Sequence, residues 1–421
     1  MIPRGSVVSA NAGRIAVSLP AAAVGNGVRI ASARGSIGGV VTALADGLAI
    51  VAAHGAIDGI AAGDTVWNDP SALMMPLGTA LLGRAIDASG SAIDRRPPIR
   101  GRKTGIAVRA PHPAERREVD MPFWTGVRAI DALLTIGRGA RIGIFGPPGC
   151  GKSTLLHLLV QGARADAVVV GLVGERGREA EEWMRLCTPH TSIVCATSDR
   201  SAAERVHAAR VAVAQADVLR SHGLHVLLIL DSLARFAAAL REVALASGES
   251  VGRAGYPPSV FADLARLVEV PGAAHRGSIT LLATVLSDGD ERDPVSEAAR
   301  SLLDGHIALS PRLAQAGRFP AIDLPASTSR TMSGVVDDAH LEDAVEVRRA
   351  VAALALSEDA RSLGITPADP VALRAVPLEA LIEALLRQGK LPVEPERSLS
   401  SLAALADRLR EPWTSPATSP Q

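Results

Sequence analysis

Aromatic side chains are scarce: five Phe, four Trp and one Tyr make up 2% of 421 residues. With 48% apolar residues, the core must be assembled from alanine and aliphatic side chains, as many small contacts rather than a few large rings. The same scarcity leaves little for the stacking platforms on which proteins hold single-stranded nucleic acid. Net charge is also missing, with 44 basic against 44 acidic residues, so the whole chain offers no electrostatic footprint for a phosphate backbone. The three cysteines, Cys150, Cys187 and Cys195, are odd in number and lack metal-ligand spacing. They exclude a disulfide framework and fit a reducing cytoplasm. No run of about 18 apolar residues occurs, and no apolar segment follows the first residues as in a signal peptide. A soluble protein is expected, one that meets a membrane only through partners.

What is present is a change of texture along the chain. Residues 1–75 carry short β segments (6–8, 14–19, 28–30 and 47–52) separated by glycines, the pattern of a small N-terminal β-barrel. Residues 76–332 alternate apolar strands (142–145, 167–173, 192–196, 225–230, 278–285, 306–309) with helices, notably 202–221 and 232–246. Such strands with helical crossovers make a mostly parallel α/β sheet, with ligands at the carboxyl ends of the strands. Residues 333–421 read as a C-terminal helical domain, with helices at 341–356, 377–387 and 399–409, and a tail from Pro412 of disorder-like composition.

The segment Gly146-Pro147-Pro148-Gly149-Cys150-Gly151-Lys152-Ser153-Thr154 spells G-x-x-x-x-G-K-S between an apolar strand and a helical run. The glycines let the backbone curl so that N–H groups face a phosphate chain, at the positive end of a helix. Lys152 would reach the β and γ phosphates, and Ser153 would hold Mg²⁺. Cys150 reads as a small residue that fits the loop.

Two carboxylates complete the chemistry. The strand Val226-Leu-Leu-Ile-Leu ends in Asp231, placed to order Mg²⁺ through its water shell. AAA-type motors follow that aspartate with a glutamate base, whereas here Ser232 follows. The alternative base is Glu175, in Gly174-Glu-Arg-Gly-Arg-Glu179, just after the second strand, 167–173. A carboxylate there can polarise a water in line with the γ-phosphate, although taken alone it also reads as an acid complementing a helix N-terminus.

Six ordered blocks now stand together: Thr125-Gly-Val-Arg-Ala-Ile-Asp131, the Gly174–Glu179 block, Asp231-Ser-Leu-Ala-Arg-Phe, Gly255-Tyr-Pro-Pro-Ser-Val-Phe261, Asp304-Gly-His-Ile307, and Phe319-Pro-Ala-Ile-Asp323 with Ser327-Thr-Ser-Arg330. In this arrangement the chain resembles the ATPases of type III protein secretion systems, relatives of the flagellar export ATPase and of the rotary ATPase catalytic subunit. The resemblance implies a RecA-like P-loop core and ATP as the nucleotide. It casts Glu175 as catalytic carboxylate, Arg176 as a contact to the γ-phosphate or the subunit boundary, and Asp231 as the Mg²⁺-ordering acid. Arg330 becomes an arginine finger acting in the neighbouring subunit's site, and Phe319 an aromatic on which adenine rests. It also implies a homohexamer, stator and central stalk proteins of the secretion apparatus, chaperone–effector complexes as clients, attachment at the inner membrane through partners, and no nucleic acid. The flagellar export ATPase stands beside this reading with the same chemistry. A Rho-like RNA-translocating hexamer is opposed by the neutral charge and the sole Tyr256, and a non-catalytic rotary subunit by the presence of Glu175.

Overall fold

A computed structural model describes residues 3–11, 14–107, 109–286 and 293–411, so the tail read from Pro412 onward lies outside the described residues. The chain divides into two compact units. One comprises Met1–Glu118, Gly139–Gly143 and Ala165–Leu303; the other comprises Val119–Arg138, Ile144–Arg164 and Asp304–Gln421.

The first unit begins with a closed barrel of the strands Arg4–Asn11, Arg14–Ser18, Gly27–Ser32, Gly35–Ala45, Leu48–Ala53 and Thr65–Asn68. Its interior is filled by Val7, Ile15, Val17, Val28, Ile30, Val41, Val51 and Val66. These β-branched residues suit a pleated, half-buried surface. Asp46 and Gly47 join two strands with φ of 51° and 75°, the double left-handed turn whose twist matches a tight hairpin. The strand Gly35–Ala45 was not read from the sequence, because glycines at 35, 38 and 39 lower its strand propensity. Gly39 is there for closeness: a Cβ on it would lie 2.8 Å from Ala52 O.

The same unit continues into a parallel sheet with spatial order Ser278–Leu286, His225–Asp231, Ala167–Glu175, Thr191–Thr197, Arg84–Asp87. The strand Arg141–Gly146 enters at its edge, where Leu281 N–H donates to Ala140 O at 2.9 Å. Every residue of Ala167–Glu175 and His225–Asp231 is buried, which is why both read as unbroken apolar runs. The helix Ala202–Ser221 starts at a reciprocal cap between Ser201 and Glu204.

The second unit holds the end of Arg141–Gly146, the helix Lys152–Gly162, and the antiparallel pair Gly305–Leu309 and Ile322–Ser329. Its C-terminal part is helical, with Asp338–Leu356, Pro370–Ala375, Glu379–Leu386 and Pro395–Arg410. Asp337 caps the longest of these by accepting from His340 N–H at 2.8 Å. Ala344, Val347, Val351 and Leu354 are buried at three- and four-residue spacing, one stripe of a helix. That helix begins before residue 341 because its polar first turn carries no apolar period and shows only in its cap.

Candidate active site

The phosphate loop lies in the second unit. Gly149 and Gly151 take φ of 86° and 81°, the left-handed backbone that glycine adopts without a Cβ clash. Gly151 caps the helix Lys152–Gly162 without any side-chain hydrogen bond. The N–H groups of the first turn therefore have no side-chain cap, at the end of the helix where the dipole favours an anion. Leu155 N–H closes that turn on Gly151 O at 3.0 Å. Pro148, Gly149, Ser153 and Thr154 are exposed, Pro147 and Lys152 are half-buried, and Cys150 is buried. Burial raises the Cys150 thiol pKa, so this cysteine is held as a neutral packing residue. Phe319 faces the loop from the same unit: a Cβ on Gly151 would lie 3.1 Å from its Cε1, and the ring is 41% exposed. Arg330 follows the strand Ile322–Ser329. Its backbone N–H donates to Asp304 O at 3.0 Å, and its side chain is exposed with no partner among the described residues.

The carboxylates lie in the first unit, at the carboxyl edge of the parallel sheet. The strand register sets Asp231 opposite Leu172, three residues before Glu175 on the neighbouring strand. Both side chains are buried, with each residue 3% exposed. Thr284, from the adjacent strand, donates its hydroxyl to Asp231 Oδ1 at 2.5 Å. Arg235, one turn beyond Asp231 on the helix Leu233–Ala246, places Nε 3.2 Å from Glu175 Oε1 and also donates to Gly174 O. Gly174 has φ of 74°, and a Cβ there would lie 3.2 Å from Arg235 Cδ. The glycine before the carboxylate thus makes room for the arginine that pairs with it. Arg176 is exposed at the start of the helix Gly177–Arg185.

Sequence reasoning did not single out Arg235, Thr284 or Asp131. Signals for Arg235 and Thr284 existed: an arginine inside the Asp231 block, and the last of three hydroxyls in the otherwise apolar strand Ser278–Leu286. Asp131 is fully buried and accepts from Thr125 N–H at 2.8 Å, Thr125 Oγ1 at 2.7 Å and Gly126 N–H at 2.9 Å. It ties down the turn that carries the first of the six blocks. Burial pushes its carboxyl up to about 7, against the pull of those three donors.

A Gly-rich phosphate loop ahead of a helix, in a chain with a RecA-like sheet ending in two buried acids, defines a P-loop ATP hydrolase. Known proteins narrow the class. The nucleotide-binding domain of the ATP synthase alpha/beta family matches residues 126–329. The type 3 secretion system ATPase of Sinorhizobium fredii (strain NBRC 101917 / NGR234) is 45% identical over 325 residues, 75% of this chain and 72% of that protein. The flagellum-specific ATP synthase of Salmonella typhimurium is 43% identical over 330 residues, 76% of this chain and 72% of its own length. The assembled ATPase EscN of the enteropathogenic E. coli type III secretion system, solved with its central stalk EscO, superposes with a TM-score of 0.86 at 36% identity, covering 96% of this chain and all of that one. The chain belongs to the family of type III secretion and flagellar export ATPases, and it binds and hydrolyses ATP. Among the described residues, no helix is long and apolar enough to cross a membrane.

Proposed function

We propose that this ATPase works as a homohexameric motor of a type III secretion apparatus, using hydrolysis to release chaperones from secreted proteins, unfold them and drive their export. In this reading the loop from Gly146 to Thr154 cradles the triphosphate, with Lys152 on its outer phosphates and Phe319 beneath the adenine. Glu175 orients and deprotonates the attacking water, with Arg176 near the γ-phosphate or the subunit boundary. Arg330 acts on the neighbouring subunit's nucleotide. The donor set suits Mg²⁺, since the exposed Ser153 hydroxyl and the buried Asp231 carboxylate, its second oxygen steadied by Thr284, are hard oxygen ligands. When bound, the ion would neutralise charge on the phosphates, and Asp231 would hold its water shell.

The observation that carries the shared-site reading is Arg330, an exposed arginine that pairs with nothing in its own chain among the described residues. A site that borrows it is incomplete in a single subunit. Specific ATPase activity should therefore climb with protein concentration as light scattering shows assembly. Constant specific activity from a strictly monomeric species would remove the hexameric reading. The stator, the central stalk and an inner-membrane docking point are the partners this reading requires. Flagellar export shares all of this chemistry, and the likeness to the Salmonella protein is nearly equal. Complementation of injectisome and flagellar deletion strains separates the two.

A further inference from the structure

Gln388 follows the helix Glu379–Leu386 and is 7% exposed. Its backbone N–H donates to Phe319 O at 2.7 Å. Its side-chain Oε1 accepts from Arg128 N–H at 2.8 Å, and its Nε2 donates to Gly126 O at 2.8 Å and to Leu391 O at 2.9 Å. Both amide hydrogens are therefore engaged inside the protein. A buried amide with all these bonds holds its neighbours in one arrangement, because breaking any of them leaves a buried polar group unpaired.

What it holds are the two ends of one helix. At the far end, Gly126 packs against Gly162: a Cβ on Gly126 would lie 2.9 Å from Gly162 Cα and 2.9 Å from Pro392 Cβ. Gly162 closes the helix that Lys152 opens. At the near end, Phe319 lies against Gly151. Next to it, Arg318 is paired with Glu383 of the same C-terminal helix, Nε to Oε2 at 3.1 Å. The phosphate-loop helix is thus gripped at both ends by groups that meet at residue 388.

We propose that Gln388 is a positioning residue for nucleotide binding: it sets the Phe319 ring against the phosphate loop, so that affinity for the base depends on the C-terminal helical segment while the chemical step does not. This rests on reading Phe319 as the adenine platform. It links the segment after residue 332 to nucleotide affinity, so anything that shifts the helix Glu379–Leu386 would change how tightly ATP is held.

The test uses the full chain as Gln388→Ala and Gln388→Glu, with Phe319→Ala alongside. Calorimetry measures binding of a non-hydrolysable ATP analogue and of inorganic tripolyphosphate, which has phosphates but no base, and steady-state assays give KM and kcat. Gln388→Ala keeps the backbone bond to Phe319 O but releases the side-chain anchors that fix where residue 388 lies, so it should weaken analogue binding and raise KM by roughly five- to thirtyfold, the worth of one or two buried hydrogen bonds. Its kcat should stay within about twofold and its tripolyphosphate affinity should not move. Gln388→Glu keeps the acceptor for Arg128 N–H but sets an oxygen against the Gly126 and Leu391 carbonyls, so it should weaken analogue binding at least as much as Ala. It also serves as the measured variant should Gln388→Ala fail to fold. Equal losses for analogue and tripolyphosphate, or a fall in kcat at constant KM, would overturn the proposal. So would unchanged analogue binding in both Gln388 variants while Phe319→Ala weakens it, which leaves the platform reading standing. Unchanged binding in Phe319→Ala would remove the platform and this inference together.

Discussion

Arg235 Nε stands 3.2 Å from Glu175 Oε1, and the carboxylate it meets belongs to a residue only 3% exposed. A buried carboxylate keeps its charge through such a partner, and deleting the partner strands it. The helix that follows Asp231 therefore sets a guanidinium against the acid at the end of the neighbouring strand. Arg235→Ala should destabilise the chain by about 3 kcal/mol and lower turnover; Arg235→Lys, which keeps the charge without the planar fork, should recover most of the stability and less of the rate. Glu175→Gln should hold nucleotide as wild type does and lose on the order of a hundred- to ten-thousandfold in kcat. Denaturant unfolding paired with initial-rate assays reads both. Wild-type turnover in Glu175→Gln would show that the base lies elsewhere.

Thr284 and Asp231 give a second prediction. The hydroxyl donates to Oδ1 at 2.5 Å inside the sheet, which fixes the rotation of the carboxylate. Thr284→Val keeps the shape and removes the donor. The Mg²⁺ concentration for half-maximal activity should rise several-fold, with kcat at saturating Mg²⁺ much less affected. An unchanged Mg²⁺ requirement would mean that the hydroxyl does not orient Asp231.

Arg330 can be tested across subunits. Arg330→Ala should cost about a thousandfold or more in turnover while nucleotide still binds. Arg330→Ala and Glu175→Gln each retain what the other lacks, so rings mixed by co-expression should regain part of the activity. Differentially tagged mixed rings that stay as inactive as either parent would assign Arg330 a role within its own subunit.

His54 and His207 supply a pH dependence. Their rings stack with centroids 3.4 Å apart and planes 13° from parallel, and both residues are buried. They line a cavity of ≈ 380 Å³ shared with Arg210, Glu249, Asp263 and Arg266. Among the described residues, His54 Nδ1 and His207 Nε2 have no hydrogen-bond partner. Burial, then the charge of Arg210, pushes His54 down from 6.5 to about 3, and His207 goes well below its usual value chiefly through burial. A base whose folded pKa is depressed gives stability that is complete above the unfolded value and lost as pH falls below it, since the unfolded chain takes up protons the native state refuses. Between pH 7 and pH 5 each ring should remove about 2 kcal/mol, given the ordinary value of 6.5. Thermal unfolding across that range should fall steeply for wild type and less steeply for His207→Phe, whose ring keeps the stack without the titration. Parallel slopes would show that the pair stays protonated or contributes nothing.

Much of the site was legible in the chain because its parts are local. A phosphate loop is a few residues with fixed φ/ψ needs, and Gly149 and Gly151 advertise those needs directly. Apolar runs ending in Glu175 and Asp231 mark strand ends for the same reason. Fully buried parallel strands carry no polar alternation, so the first polar residue is where the sheet stops. The helix 202–221 was exact in its bounds because Ser201 and Glu204 form a cap with sequence-local partners. The strand Gly35–Ala45 escaped notice because its glycines answer to a neighbouring strand, not to their own.

The amino-acid order by itself determined where the glycine-rich loop turns into a helix, which acids end the strands, and that the last part of the chain is helical, since all of these follow from spacing within about a dozen residues. Only the tertiary structure decided which groups govern those acids and that loop. Thr284 reaches Asp231 across 53 residues, Arg235 reaches Glu175 from another helix, and Gln388 reaches Arg128 across 260. Such partners leave no periodic trace, because a single hydrogen bond or ion pair constrains one side chain and nothing around it. They form only when the sheet register and helix packing have already set the distances.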